Sequence, residues 1–299
     1  FLYLVIETAW QLMAVRFYHG FATAIFGTVA TAAIAGRYSA DRAARLSTYS
    51  SVTIVGRSIA PFLGGTLISL ASFGAVYIAC AIAGVLALGA GLLLKDRNPK
   101  PAAKLELPHF WSSLRTVLRD RGIMLVSTVE AAQYLVFGAI EAFLALYASS
   151  LGIPAWQIGI ILGVQLLSIV LAKPLMGRVS DRVGRRRVIL PGLLIGAASV
   201  VLLPVFPNVV GLSVLSLAFG LGFATVTSST AALVADLTKD GRFGSSMGVL
   251  RTVMDVGQSI GPVLTGFMVG VAGYASAFTL LATILVAAAL MLGLLLHDA

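Results

Sequence analysis

Long apolar runs broken by short polar stretches dominate this chain of 299 residues. Crossing a bilayer as a helix takes about 20 apolar residues. Nine runs of that order are present, at 11–35, 49–69, 74–94, 122–148, 156–176, 188–206, 209–235, 245–270 and 275–296. Residues 1–6 read as the last turns of a further helix. The breaks are rich in Gly, Pro or charge, as helix ends should be. The pattern predicts an all-α polytopic membrane protein.

Composition agrees. The chain is 59% hydrophobic and 11% charged, with a mean hydropathy of +0.98. A soluble protein of this length could not hide so much apolar surface. The net charge of +9 raises the question of nucleic acid, but its distribution answers it. Of the 21 basic residues, 18 fall in alternate breaks: Arg37, Arg42 and Arg45; seven between Lys95 and Arg121; Lys173, Arg178, Arg182 and Arg185 to Arg187; Lys239 and Arg242. The intervening breaks carry none. Basic loops mark the cytoplasmic side, so the charge is a topology signal. The expected partner is the lipid bilayer of the cell inner (cytoplasmic) membrane, not nucleic acid, with the linker and basic loops cytoplasmic.

Two breaks stand out. Residues 95–121 form the one long break: a polar, Pro-rich start, then Leu107, Phe110, Trp111, Leu114 and Leu118 at helical spacing. This predicts a short amphipathic helix at the inner membrane surface or a solvated linker helix. Residues 177–187 hold six charges in eleven positions. That density predicts a tight aqueous turn between two spans.

Soluble-enzyme chemistry is not expected. There is no Gly-Lys-Ser phosphate loop. Three scattered histidines and one cysteine make no metal site. Cys80 lies within an apolar run and reads as a small packing residue. No cofactor and no metal are expected.

The chain repeats itself. Gly56-Arg-Ser-Ile-Ala-Pro-Phe-Leu-Gly-Gly65 matches Gly257-Gln-Ser-Ile-Gly-Pro-Val-Leu-Thr-Gly266 at six of ten positions. Phe21-Ala-Thr matches Phe223-Ala-Thr, and Arg42 aligns with Arg242. A period of roughly 200 residues flanking a linker predicts two homologous bundles. It also places the start of the first bundle about 80 residues before Phe1, so two helices and most of a third are expected to precede it.

The loop Gly177-x-x-x-Asp181-Arg182-x-Gly184-Arg185-Arg186-Arg187 resembles the cytoplasmic loop signature of the major facilitator superfamily of transporters. That resemblance implies two pseudo-symmetric six-helix bundles, about nine of twelve helices being present: residues 1–94 as the rest of the first bundle, 95–121 as linker, 122–299 as the second. It also implies a gate, in which Asp181 accepts bonds from a facing helix N-terminus and a neighbouring Arg in one transport state only. A purely topological turn is the alternative. Arg16-Phe-Tyr-His19-Gly20 resembles the fourth-helix signature, R-x-x-Q-G, with His for Gln. A charge inside a span costs about 2.5–3.5 kcal/mol, so Arg16 is expected to face the bundle interior with a partner, for proton coupling or as a structural pair. Gly56-x-x-x-Ala60-Pro61-x-x-Gly64-Gly65 resembles the fifth-helix signature of proton-exchanging exporters, with Ala for one Gly. Pro61 is expected to kink that helix as a hinge, and Gly261-Pro262 to do so in the second copy; generic small-residue packing is the alternative.

The remaining embedded polar residues are the substrate or proton candidates. Glu130 and Glu141 lie eleven residues apart on one helix, hence on one face about 16 Å apart, with Gln133 a turn from Glu130. Arg251 and Asp255 are four apart and can pair. Arg16, His19 and Arg57 complete the set. Ser and Thr at 226–230 line the cavity or bend the helix. Together these features predict a monomeric secondary transporter that exports a small organic solute in exchange for protons, from a cavity between the bundles. A proton symporter or facilitative importer of a sugar or metabolite is the alternative, with a membrane receptor or membrane enzyme more distant.

Overall fold

The computed structural model describes residues 2–37, 42–93, 115–238 and 243–295, and among them there are helices and turns but no strand. The helices are α1 (Ala9–Arg37), α2 (Arg42–Leu70), α3 (Phe73–Leu92), α4 (Arg121–Ser150), α5 (Ala155–Val183), α6 (Arg185–Leu202), α7 (Val209–Leu237) and α8 (Phe243–Leu295), after a 3-10 turn at Leu2–Leu4. Five are long and apolar enough to cross a membrane: α3, α4, α5, α7 and α8. This is an all-α membrane fold. The chain divides into two compact units, residues 1–104 and 105–299.

The helix ends follow local chemistry. Ser72, Asp120 and Asn208 cap α3, α4 and α7 by accepting first-turn amides, which satisfies donors the helix itself cannot. At 53 residues α8 would be about 80 Å long, too long for one crossing. Gly273 breaks it into two arms, at φ 78° and ψ 176°, a conformation that suits a residue without Cβ. Expected spans 245–270 and 275–296 are those arms.

The expected aqueous turn at 177–187 is corrected. Residues to Val183 continue α5, Arg185 begins α6, and Gly184 alone connects them at φ 103°. The charges therefore sit on two helix ends. Lys173 is corrected with them: it lies within α5, ten residues before the end, not in the turn. Pro61 and Pro262 lie inside continuous α2 and α8; the break in α8 falls at Gly273 because only there does the backbone leave helical angles. Of the linker, 115–119 is helical with Val117 buried; Leu107, Phe110, Trp111 and Leu114, with Lys239 and Arg242, lie outside the described residues.

In unit 2, α4 packs most extensively on α8 and α5 on α7, with α6 between α7 and α8. Phe137 and Phe223 lie with ring centroids 4.4 Å apart, and Phe278 meets Tyr147 at 5.4 Å. In unit 1, α2 packs against α1 and α3, and only Ser58 and Gly65 are buried among residues whose exposure is described.

Candidate functional site

The interior of unit 2 holds Glu130, the only acidic or basic side chain among the buried described residues. It projects from the inward stripe of α4 between Ser127 and Gln133. Opposite it, Thr230 of α7 donates to Glu130 Oε2, and the Lys173 ammonium of α5 exerts an attraction on the carboxylate. Thr230 Oγ1 also lies 2.9 Å from the Val226 carbonyl. A hydroxyl has one hydrogen to give. With Glu130 ionised, that hydrogen is drawn to the carboxylate. With Glu130 protonated, the acid can donate to Thr230 and Thr230 to Val226. The pair can therefore gain or lose one proton by turning a single hydroxyl.

Glu141 differs from Glu130 although helical spacing places them on one face. It is exposed, with Gln258 Nε2 of α8 at 3.4 Å from its Oε2. Gln133 is fully buried, and neither amide atom has a hydrogen-bond partner among the described residues. The expected Arg251–Asp255 ion pair is not formed among the described residues. Both side chains are exposed on α8, where water competes for each charge.

At the basic end of unit 2, Arg185 ties three helices. Its guanidinium bonds Asp181 of α5 and, through Nε at 3.0 Å, Asp236 of α7. Both carboxylates sit in last helical turns and Arg185 in a first turn, where each opposes its helix dipole. The network cancels those penalties mutually. Arg186 donates to the Gly293 carbonyl at the end of α8, while Arg182 is exposed and a Cβ on Gly177 would meet nothing within 4 Å among the described residues. All these partners belong to unit 2.

The Gly261-Pro262 signature forms the α4–α8 crossing. A Cβ on Gly257 would collide with the Ala131 carbonyl and one on Gly261 with that of Leu135; one on Gly138 of α4 would collide with the Gln258 carbonyl. Pro262 has no N–H, so it cannot bond the Gln258 carbonyl four residues back. That freed oxygen is the one facing Gly138. In the first copy, a Cβ on Gly56 or Gly64 would meet nothing within 4 Å; Arg57 is exposed a turn before Pro61, and Gly65 is buried.

Arg16 is not buried among the described residues of unit 1. It is exposed on α1, with its guanidinium 5.8 Å from the centre of the Tyr3 ring. Tyr3 also reaches His19 Nδ1 from its hydroxyl at 3.2 Å and stacks on Tyr77. The cation finds an aromatic face instead of a carboxylate.

Sequence reasoning missed Asp236, Tyr3, Gln165 and Ser216, and singled out Thr230 only as one of a run. Asp236 closing a predicted span opposite an arginine-rich turn was the available signal. Among the described residues no cluster could hold a metal ion.

A model of the Major Facilitator Superfamily matches residues 1–164 and 126–299. The MFS-type transporter MJ1560 of Methanocaldococcus jannaschii is 23% identical over 93% of this chain and 72% of its own length. A multi-drug resistance efflux pump PmrA homolog of Lactococcus lactis is 28% identical over 54% of this chain and 41% of its own. The quinolone resistance protein NorA of Staphylococcus aureus is 24% identical over 45% and 35%. The chain thus spans under half the length of these two pumps. The fold resembles the crystal structure of a bacterial homolog of the human lysosomal transporter Spinster, inward-facing and unoccupied. The TM-score is 0.63 at 16% identity, over 85% of this chain and 69% of that one.

Proposed function

The chain belongs to the Major Facilitator Superfamily of membrane transporters, and from that premise we propose that it exports a small, drug-like organic solute by alternating access, driven by protons entering in exchange. Glu130 is the proton carrier in this reading. The supporting observation is its burial in the bundle core with Thr230 as a reversible hydroxyl partner. An ionisable group at such depth is expensive and is kept where it does work. The likeness to multidrug efflux pumps supports the solute class and the outward direction. The Arg185 network is assigned to the cytoplasmic gate, closing while Asp181 and Asp236 hold it and opening when they part. The basic ends then face the cytoplasm, the protein sits in the cytoplasmic membrane, and the whole protein works as a monomer.

The test is flux through the protein reconstituted in liposomes, with a panel of lipophilic cations and neutral drugs. A proton gradient of the right sign should accelerate substrate movement, and collapsing it should remove that acceleration. Movement indifferent to the gradient would point to the facilitative reading. Uptake running with the protons would point to a symporter.

A further inference from the structure

Most of the unpaired buried polar atoms described in unit 2 recur on the inward faces of α4, α5 and α7, and one more, Ser246 Oγ, lies on α8 near its start. On α4, Ser127, Glu130 and Gln133 recur every third residue on the inward face, all buried. Ser127 Oγ and both amide atoms of Gln133 lack a hydrogen-bond partner among the described residues. Gln133 lies against α6 at Gly196, a closely packed spot: a Cβ there would lie 3.2 Å from Leu285 Cδ1, 3.9 Å from the Phe219 ring and 4.0 Å from Gln133 Oε1. One turn further from the basic end, Ser199 of α6, Ser216 of α7 and Gln165 of α5 line a narrow interior cleft with Phe219, Ile140 and Leu144. Gln165 Oε1 and Ser216 Oγ are likewise unpaired. Each such atom lowers stability, and folded proteins carry few of them. Their alignment is the informative fact. From Ser127 to Leu144 the file runs about 25 Å along α4, against a hydrocarbon core of about 30 Å.

We propose that the core of unit 2 is a gated water passage, lined by Gln133, Gln165 and Ser216, that connects Glu130 to the end of the bundle opposite its basic end. This rests on the proton-exchange reading and supplies its route. As the structure stands, the cleft is too narrow for a water molecule, so the passage is shut. Loosening of the bundle admits water, which takes up the unpaired donors and acceptors. The chemistry balances simply. Glu130 carboxylate accepts a proton from the nearest water, each water is refilled by the next, and the bulk loses one proton. Release reverses the sequence. A route that conducts only when wet and is dry at rest lets protons reach the carboxylate without a standing leak. The groups facing Glu130 are few: one charge, Lys173 from α5, one neutral donor, the Thr230 hydroxyl from α7, and no buried acid or base from α8 among the described residues.

The test is hydroxyl-radical footprinting by millisecond X-ray radiolysis of the protein in lipid nanodiscs. Phe219 and Phe278 are both buried, but only Phe219 lines the cleft. Oxidation of Phe219 at least fivefold faster than Phe278 is expected. In Gln133→Leu/Gln165→Leu that excess should vanish, the melting temperature should rise because unpaired polar atoms are gone, and proton flux should fall at least tenfold. Ser216→Ala, a smaller change, should move all three readouts the same way by less. Equal oxidation of both phenylalanines in the wild type overturns the passage, as does unchanged oxidation or flux in the double variant. Preferential Phe219 oxidation in a protein whose substrate flux ignores the proton gradient would sink the exchange mechanism while leaving the hydrated passage standing.

Discussion

The same ten-residue signature appears in both units, and its described surroundings differ between them. In unit 2, Gly257 and Gly261 press α8 onto the carbonyls of α4 so closely that no side chain would fit. In unit 1, Gly56 and Gly64 have open space where a Cβ would go. The second repeat follows suit. Phe223 is 3% exposed and stacked on Phe137, whereas Phe21 is 61% exposed. Thr225 and Thr23 behave alike, each bonding the carbonyl four residues back. Local chemistry is thus copied faithfully, while close packing is described only around the copy in unit 2. Small residues permit close approach, but they act only where a partner helix is present to approach.

The largest expected effect tests that contrast directly. Gly257→Leu should cost at least about 3 kcal/mol and prevent stable folding, read as loss of a monodisperse peak and of the thermal transition in detergent. Gly56→Leu should cost under about 1 kcal/mol. Equal damage from both would show that the unit 1 face is covered as tightly as its counterpart, and the contrast would disappear.

Next come the two acids of α4. Glu130→Gln should lower gradient-driven flux by about tenfold or more and flatten its pH dependence. Glu141→Gln, at an exposed site, should stay within about twofold of the wild type. If Glu141→Gln were the damaging one, burial would be the wrong guide to the carrier. A smaller effect is expected at the basic end. Asp236→Asn leaves Arg185 with Asp181 alone and should cost roughly 1 kcal/mol, with turnover slowed a few-fold and the difference shrinking in high salt. Smallest of all, Tyr3→Phe removes only an exposed hydroxyl contact with His19 and should shift stability by no more than about 0.5 kcal/mol.

The helices were legible because hydrophobic length and breaker residues are local properties. Most span ends are found within a few residues, although α2 begins seven residues before its expected span and α5 ends seven after its own, and Asp120 and Ser72 cap where a polar residue precedes an apolar run. What depended on three-dimensional neighbours was less legible. Lys173 looked like part of a basic turn, because a sequence does not show that a helix continues through the charged residues after it, as α5 does to Val183. Glu130 and Glu141 looked equivalent because periodicity fixes direction, not cover: α7 shields one and leaves the other open. The partner of Arg16 was left open because sequence cannot anticipate that a turn at Leu2–Leu4 lays a tyrosine ring beside it. Asp236, Gln165 and Ser216 matter only through what lies opposite them on other helices, which no spacing rule encodes.

Gly184 joins α5 to α6 with a single residue of positive φ. So short a tether has no slack. Neither helix can slide or lean without dragging the other, and Arg185, bolted across the joint to both Asp181 and Asp236, carries the strain into α7. A tilt of α5 is therefore expected to move α6 and the Arg185 corner with it.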